Sequence, residues 1–403
     1  MRPFTSTIPL AEARALLTAG VKPIARTERV ALADAAGRVA AAEVSSEIAV
    51  PPFSRSAMDG YAVIAADTIG ATRERPVRLR IVERIYTGQL PSQAVEAGSC
   101  AEIATGAPLP DGADAVIMVE ETGGGAGGEQ VDLFAPAAPG QNVGRRGADM
   151  SPGDRVVGCG DLLNPSRVGA LAAIGCGEIE LFERPRVAIL STGNEVIEPG
   201  RRLGPGQIFD VNRFTLSAVV TAHGGRPERH PPAQDTLEGL ETALTACRGA
   251  DLIVFSGGSS VGERDLIVDL IARRGTMIFH GIAVKPGKPT AFATADGVPF
   301  FGMPGNPTSC LSNAYILLVP FLRATARLPL YAPRTVRVPL ARRIVSPAGR
   351  HQFYTVRLHD GAAHPAFKGS GEITSLSRAD GYIEIPADQS TIDEGASVEV
   401  TLF

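Results

Sequence analysis

The chain of 403 residues has no tryptophan, and only 5% of it is aromatic, so its cores must be aliphatic. Its five cysteines, Cys100, Cys159, Cys176, Cys247 and Cys310, are scattered and form no C-x-x-C pair. That usage argues against a disulfide framework or a cysteine-based zinc site and fits a reducing compartment. No H-E-x-x-H spacing occurs either, which removes the usual zinc-hydrolase signature. A basic surplus is also missing: 39 Lys and Arg against 43 Asp and Glu leave a net charge of −4. A general nucleic-acid binder needs that surplus, so no nucleic acid is expected as partner. The longest apolar run, Ala314 to Leu322, is interrupted by Pro320 and falls short of the roughly 20 residues of a membrane span. The opening stretch MRPFTSTIPLAEARALL lacks an apolar signal core, and a soluble, cytoplasmic protein is the expectation.

What is present suits a globular chain. Apolar residues make up 44% and charged residues 20% of it, enough to bury sizeable cores. At about 150 residues per domain, the length predicts two to four domains. A short amphipathic helix is expected over residues 9–20, with Pro9 at its start and Leu10, Ala13, Leu16 and Leu17 on one face. From Pro51 to about residue 145 the texture is β-rich, with runs such as RLRIVERIY and DAVIMVEE between Gly/Pro turns. Gly123 to Gly128 formally matches G-x-G-x-x-G, but EQVDLF follows where a dinucleotide site needs a helix. That stretch reads as a hairpin tip.

PSRVGALAAIGC (165–176) reads as a small helix, and the texture then changes at Arg184-Pro185. RVAILST, DLIVFSGG, MIFHGIAV and PFFGMPG read as buried strands. NRFTLSAVVTAHGG, QDTLEGLETALTACRG, ERDLIVDLIARRG and NPTSCLSNAYILLVPFLRATA read as helices. Alternating strands and helices predict a doubly wound, parallel α/β domain. Residues 331–403 return to β texture and predict a small terminal barrel or sandwich.

In open α/β sheets, ligands bind beyond the carboxyl ends of the strands. Three strand ends here are rich in Gly, Ser and amides: Ser191 to Glu195, Ser256 to Asp265, and Met303 to Ser309. Such groups at helix starts make an anion cradle suited to phosphate. Two other motifs fail on inspection. GGSSVG holds a G-x-S-x-G around Ser260, but of His280, His351, His359 and His364 only the first lies in the α/β domain, and it reads as mid-strand. Lys285-Pro286-Gly287-Lys288-Pro289-Thr290 lacks the Gly spacing of a P-loop, and Pro289 blocks the helix start. It still places two lysines on a proline-stiffened turn, suited to a small multivalent oxyanion. Asp59, Asp149, Glu195, Asp235 and Asp265 are carboxylates of the type that holds Mg²⁺ against substrate phosphates.

Taken together and in order, PPFSRSAMDGYAV, TGAPLPDGADAVIMVEE, GRRGAD followed by PGD, STGNEV, DVNRFTL, SGGSSVGERD, KPGKP, FGMPGNPTS and GSGEITSLSRADGYIEIP resemble the molybdopterin molybdenumtransferase family. These are MoeA-like proteins that include the gephyrin E domain, and the resemblance covers nearly the whole chain. It implies an elongated segment of two pieces (residues 1–50 and 146–180) and a β-rich domain (51–145). It further implies a molybdopterin-binding α/β domain (181–328) and a C-terminal β-barrel (329–403). A homodimer is implied too, with the active site between the α/β domain of one protomer and the second domain of the other.

The implied reaction takes adenylylated molybdopterin and molybdate, releases AMP and leaves molybdenum on the dithiolene, with Mg²⁺ required. A molybdopterin adenylyltransferase would supply the substrate, and molybdoenzyme chaperones would collect the product. Carried over by position, the catalytic set is Asp59, Glu195, Asp235, Asp265, Lys285 and Lys288. Substrate binding falls to Thr105, Thr192, Asn212, Gly257, Gly258, Ser259, Ser260, Pro304, Asn306, Ser370 and Ser375. Mg²⁺ falls to Asp59, Asp149, Glu195 and Asp265. The chain departs from the family pattern at Gly144, where many members carry arginine, at Asn194, often aspartate, and at Ser259, often valine. Two alternatives remain: an adenylyltransferase, which would not need the long β-rich N-terminal half, and a non-catalytic carrier or scaffold, which would not need the acidic set.

Overall fold

The computed structural model describes residues 7–124, 128–257, 266–346 and 349–403. Two units divide the chain, one of Met1–Glu28, Gly37–Val39 and Leu181–Phe403, the other of Arg29–Ala36 and Ala40–Glu180. The second unit is built on a six-stranded sheet in the order Ala115–Met118, Gly60–Val63, Ser99–Ile103, Val77–Ile85, Gln130–Leu133, Thr122–Gly123. Only Val77–Ile85 and Ser99–Ile103 run parallel. Tyr61, Val63, Leu79, Cys100, Ile117, Val131 and Leu133 form one buried face. This core is mostly aliphatic, whereas the α/β core departs from that expectation by gathering Phe279, Phe292, Phe301 and Phe321 in mutual contact. Thr122–Gly123 pairs antiparallel with Gln130–Leu133, so the G-x-G-x-x-G match opens a strand and not a helix. Residues 125–127 lie outside the described residues.

In the first unit the α/β part runs β1 (Arg186–Ser191), α1 (Asn212–Ala222), β2 (Arg226–Arg229), α2 (Leu237–Ala246), β3 (Leu252–Ser256), α3 (Leu266–Arg274) and β4 (Gly275–His280). It continues with β5 (Val284–Lys285), β6 (Ala291–Ala295), β7 (Val298–Met303) and α4. Helix α4 joins Pro307–Asn313, a π segment Ala314–Leu318, and Val319–Thr325. The π segment sits just before Pro320, whose ring and missing N–H disturb the regular ladder. The sheet order is β2-β1-β3-β7-β6-β4.

Alternation along the strands shows why they read as continuous apolar runs. Val187 and Ile189 of β1 and Leu252 and Val254 of β3 enter one core with Leu216, Leu317 and Phe321. Ala188, Leu190, Ile253 and Phe255 enter the other with Leu240, Leu244 and Leu270. Helices therefore cover both faces, as in doubly wound sheets. The first core also receives Leu10, Ala13 and Leu17 of the helix Leu10–Ala19.

The sheet is not wholly parallel as expected. β2, β1, β3 and β7 are parallel, whereas β6 runs antiparallel to both β7 and β4. The cause is local: Asp296 (φ 48°) and Gly297 (φ 81°) both adopt positive φ, closing a two-residue hairpin of the type that Asp-Gly favours. His280 is the last residue of β4 and half-buried, not mid-strand.

The C-terminal residues form β8 (Thr335–Pro339), β9 (His351–His359), β10 (Ala362–Pro365), β11 (Gly381–Ile385) and β12 (Ser397–Leu402). Their order is β9-β11-β12-β8, with β10 and β5 both on the other edge of β9. A bridge from Leu340, just past β8, to Ala363 in β10 brings the two ends together. The result is a nearly closed, barrel-like sheet around Val356, Ile383, Ile385, Val398 and Val400.

Candidate active site at the strand ends

Register sets the site. In the β1–β3 ladder Ser191 faces Ser256, and in the β3–β7 ladder Ser256 faces Met303. The three polar strand ends therefore finish at one level, side by side. Thr192 N donates to Ser256 O at 3.0 Å, and Gly257 N donates to Met303 O at 3.2 Å. Gly257 has φ +105°, and a Cβ there would come within 2.6 Å of Thr192 O. Only glycine lets these two turns lie so close.

Helix α1 supplies the floor. Asn212, at its first turn and buried, donates Nδ2 to Ser256 Oγ and to Gly305 O, each at 2.7 Å. One side chain thus ties the ends of β3 and β7 together. Asp210, also buried, accepts Ser191 Oγ–H at 2.6 Å and Arg213 N–H at 3.0 Å. Arg213 is buried beside it, with Nε 3.1 Å from Asp210 Oδ2, and donates to His230 O at 2.6 Å. Above them, Thr192 Oγ1 donates to Asp235 Oδ1 at 3.3 Å, and Asp235 N donates to Asn194 Oδ1 at 3.5 Å. Burial pushes the Cys310 thiol, 3.8 Å from Ser256 Oγ, up to about 12. It therefore stays protonated and is no nucleophile.

The terminal barrel closes one side of this rim. Asn306 Nδ2 donates to Ser370 Oγ at 3.0 Å, while Thr308 N and Oγ1 donate to Ser370 O at 3.1 Å and Glu372 O at 2.8 Å. Ser375 is fully buried, and its hydroxyl accepts Lys368 N–H at 3.1 Å, so it shapes the loop from within. The KPGKP turn is joined to the barrel as well, because β5 pairs Lys285 with Gln352 of β9.

Of the expected residues, Thr192, Asn212, Gly257, Pro304 and Asn306 thus meet at the strand ends, with Glu195 exposed on the loop after β1 and Asp235 exposed on the loop after β2. Ser370 reaches the rim from the barrel. Lys285 and Lys288 stand half-buried on their turn. Gly258, Ser259, Ser260 and Asp265 lie outside the described residues. Asp59, Thr105 and Asp149 belong to the other unit, where all three are exposed. There Asp59 Oδ1 accepts Thr105 N–H at 2.7 Å, so these two expected residues are direct neighbours. Among the described residues, no group of three or more His, Cys, Asp or Glu is placed to hold a metal. Sequence reasoning missed Asp210 and Arg213. Both lie in the DVNRFTL motif, and they form an i, i+3 opposite-charge pair at a helix start.

Three family models match the chain in order. They are the MoeA N-terminal region (domain I and II) at residues 8–175, a probable molybdopterin binding domain at 188–324, and the MoeA C-terminal region (domain IV) at 337–403. The chain belongs to the molybdopterin molybdenumtransferase (MoeA) family. It is 34% identical over 382 residues to molybdopterin molybdenumtransferase 2 of Mycobacterium tuberculosis, covering 92% of this chain and 94% of that relative. It is 33% identical over 386 residues to molybdopterin molybdenumtransferase of Nostoc, covering 93% and 88%. The crystal structure of the molybdopterin biosynthesis MoeA protein from Pyrococcus horikoshii superposes with a TM-score of 0.83 at 38% identity, covering 98% of this chain and 99% of that one. MoeA family membership thus extends over both units, and the strand-end cluster falls inside the match to the molybdopterin binding domain.

Proposed function

We propose that this chain inserts molybdenum into molybdopterin: it takes adenylylated molybdopterin and molybdate, releases AMP and leaves molybdenum on the dithiolene. The observation that carries the reading is the match, in order and over nearly the whole chain, to all three parts of the MoeA family. The strand-end cluster supports it chemically. Backbone N–H groups, hydroxyls and the Asn306 amide at the start of α4 suit the phosphates of a nucleotide-linked substrate.

Lys285 and Lys288 hold the molybdate or phosphate charge. Thr192, Asn212, Gly257, Pro304, Asn306, Ser370 and Ser375, with Gly258, Ser259 and Ser260, bind or shape the pocket for the pterin phosphate. The carboxylates at this rim offer a metal ion oxygen ligands. Mg²⁺ takes one or two carboxylates and completes its shell with water and phosphate oxygens, so Glu195 and Asp235, flanking Thr192, fit it. Asp265, Asp59 and Asp149 would complete the acidic set. When bound, the ion offsets phosphate charge. The residues' own work is positioning and electrostatic: fixed cations and dipoles meet charge that grows on the bond between the pterin phosphate and AMP.

The protein works in the cytoplasm as a homodimer in which Asp59 and Thr105 of one protomer serve the strand ends of its partner. A molybdopterin adenylyltransferase supplies the substrate and molybdoenzyme chaperones receive the product. AMP release from adenylylated molybdopterin, with and without molybdate and Mg²⁺, tests the proposal. Release that needs both and falls in Asp59→Asn and Lys288→Ala is expected. Binding without AMP release under any condition would refute it and favour a carrier.

A further inference from the structure

The KPGKP turn is held from inside by a single amide. Asn313 of α4 is completely buried and donates Nδ2 to Gly287 O at 2.9 Å and to Thr290 Oγ1. Thr290 Oγ1 in turn donates to Gly287 O at 2.9 Å, closing a triangle within the turn. Asn313 Oδ1 has no hydrogen-bond partner among the described residues. A buried polar group costs free energy unless it is used, and an apolar residue would pack at this position without that cost. The two donor bonds to the turn are what the amide supplies.

The surroundings are built to the same end. Gly287 has φ +105°, and a Cβ there would overlap the Asn313 carboxamide. Ile282 N and Thr290 N both donate to Lys288 O, at 3.0 and 2.9 Å. The β5 ladder fixes Lys285 against Gln352 on the barrel side. The backbones of both lysines are therefore fixed in relation to one buried amide.

We propose that Asn313 is a positioning residue for the lysine turn: its carboxamide sets the turn so that Lys285 and Lys288 meet one small tetrahedral oxyanion. The inference rests on the reading of the lysines given above. Without the amide the turn loses two donors, and the paired cations lose their common aim. Loss of one to two hydrogen bonds corresponds to about tenfold in oxyanion affinity.

The test measures AMP release as a function of molybdate and of adenylylated molybdopterin in wild type, Asn313→Ala, Gly287→Ala and Lys288→Ala. Amide hydrogen exchange at Ile282 and Thr290 is followed in parallel, and thermal unfolding confirms that each variant folds. In Asn313→Ala, half-saturating molybdate should rise about tenfold, with that for adenylylated molybdopterin nearly unchanged. Exchange at Ile282 and Thr290 should speed up while that of Ala293 in β6 does not. Gly287→Ala, which keeps the amide but displaces the turn, should show the same selective change. A general loss of stability would instead lower the active fraction without separating the two substrates. If Lys288→Ala raises half-saturating molybdate and neither Asn313→Ala nor Gly287→Ala does, Asn313 does not position the lysines. If Lys288→Ala itself leaves the molybdate dependence unchanged, the lysine reading fails and the inference falls with it.

Discussion

Replacing Asp210 by alanine should cost the α/β part about 3 kcal/mol, because it leaves a buried guanidinium without its nearest counter-charge. The side chains of Asp210 and Arg213 are only 2% and 3% exposed. Asp210 accepts from Ser191 Oγ and Arg213 N, and its Oδ2 lies 3.1 Å from Arg213 Nε. The other carboxylate near Arg213, Glu198, stands 3.2 Å away but is 52% exposed, so solvent weakens its compensation. Breaking one side of a buried pair typically costs about 3–5 kcal/mol, whereas replacing both sides by apolar residues is often neutral. Asp210→Ala should therefore fall near the lower end of that range, and Asp210→Ala with Arg213→Met should recover most of the loss. Urea unfolding of the two single variants and the double variant measures the coupling directly. A loss under about 1 kcal/mol in Asp210→Ala, or a double variant no better than the sum of the singles, would refute the reasoning.

Other expectations follow from the same geometry. Gly257→Ala must place a Cβ 2.6 Å from Thr192 O at φ +105°, so it should destabilise by about 1–3 kcal/mol and abolish AMP release. Activity near the wild-type level would show that the two turns need not lie close. Burial raises the Cys100, Cys247 and Cys310 thiols to about 12. Mass spectrometry after brief alkylation of the native protein should thus find Cys159 labelled, the exposed thiol, with these three untouched. Labelling of Cys310 in the folded protein would overturn the packing around Ser256. In the barrel, the hydrogen bond from His351, 2.9 Å away, holds the Glu384 carboxyl below its ordinary 4.5. A depressed folded-state value means stability that is present above 4.5 and lost as pH falls through the lower folded value. Glu384→Gln should flatten that acid loss, read from urea midpoints at stepped pH. An unchanged slope would remove the pair from the account.

Much of this was legible because it is periodic. Residues 187–190 and 252–255 show unbroken apolar runs since both faces of β1 and β3 are buried, and their polar ends stand out as Ser191-Thr192-Gly193 and Ser256-Gly257. The antiparallel β6–β7 hairpin was also written in the chain, as Asp296-Gly297 between apolar runs. PFFGMPG reads as a strand from the sequence but Ala291–Ala295 is assigned none, because an alternation of strand and helix leaves no place for an antiparallel neighbour there. What remained hidden is non-local. That Ser191, Ser256 and Met303 end at one level depends on register between strands that lie far apart in the chain, Ser191 against Ser256 and Ser256 against Met303. No short window shows that Asn313 reaches back to Gly287, or that β5 leaves the α/β sheet to pair with β9. Asp210 is hidden for a different reason: its role depends on being buried beside Arg213, and burial of a single charged residue leaves no periodic signal.

If the proposed function holds, molybdenum transfer and AMP release are one reaction of this chain. A single-turnover experiment with the protein in excess over adenylylated molybdopterin, in molybdate and Mg²⁺, tests it most directly. AMP and molybdenum bound to the isolated pterin product are measured in the same samples. Equal amounts, rising together and both suppressed in Lys288→Ala, are the expected result. AMP without molybdenum on the pterin, or molybdenum on the pterin without AMP, would contradict the account.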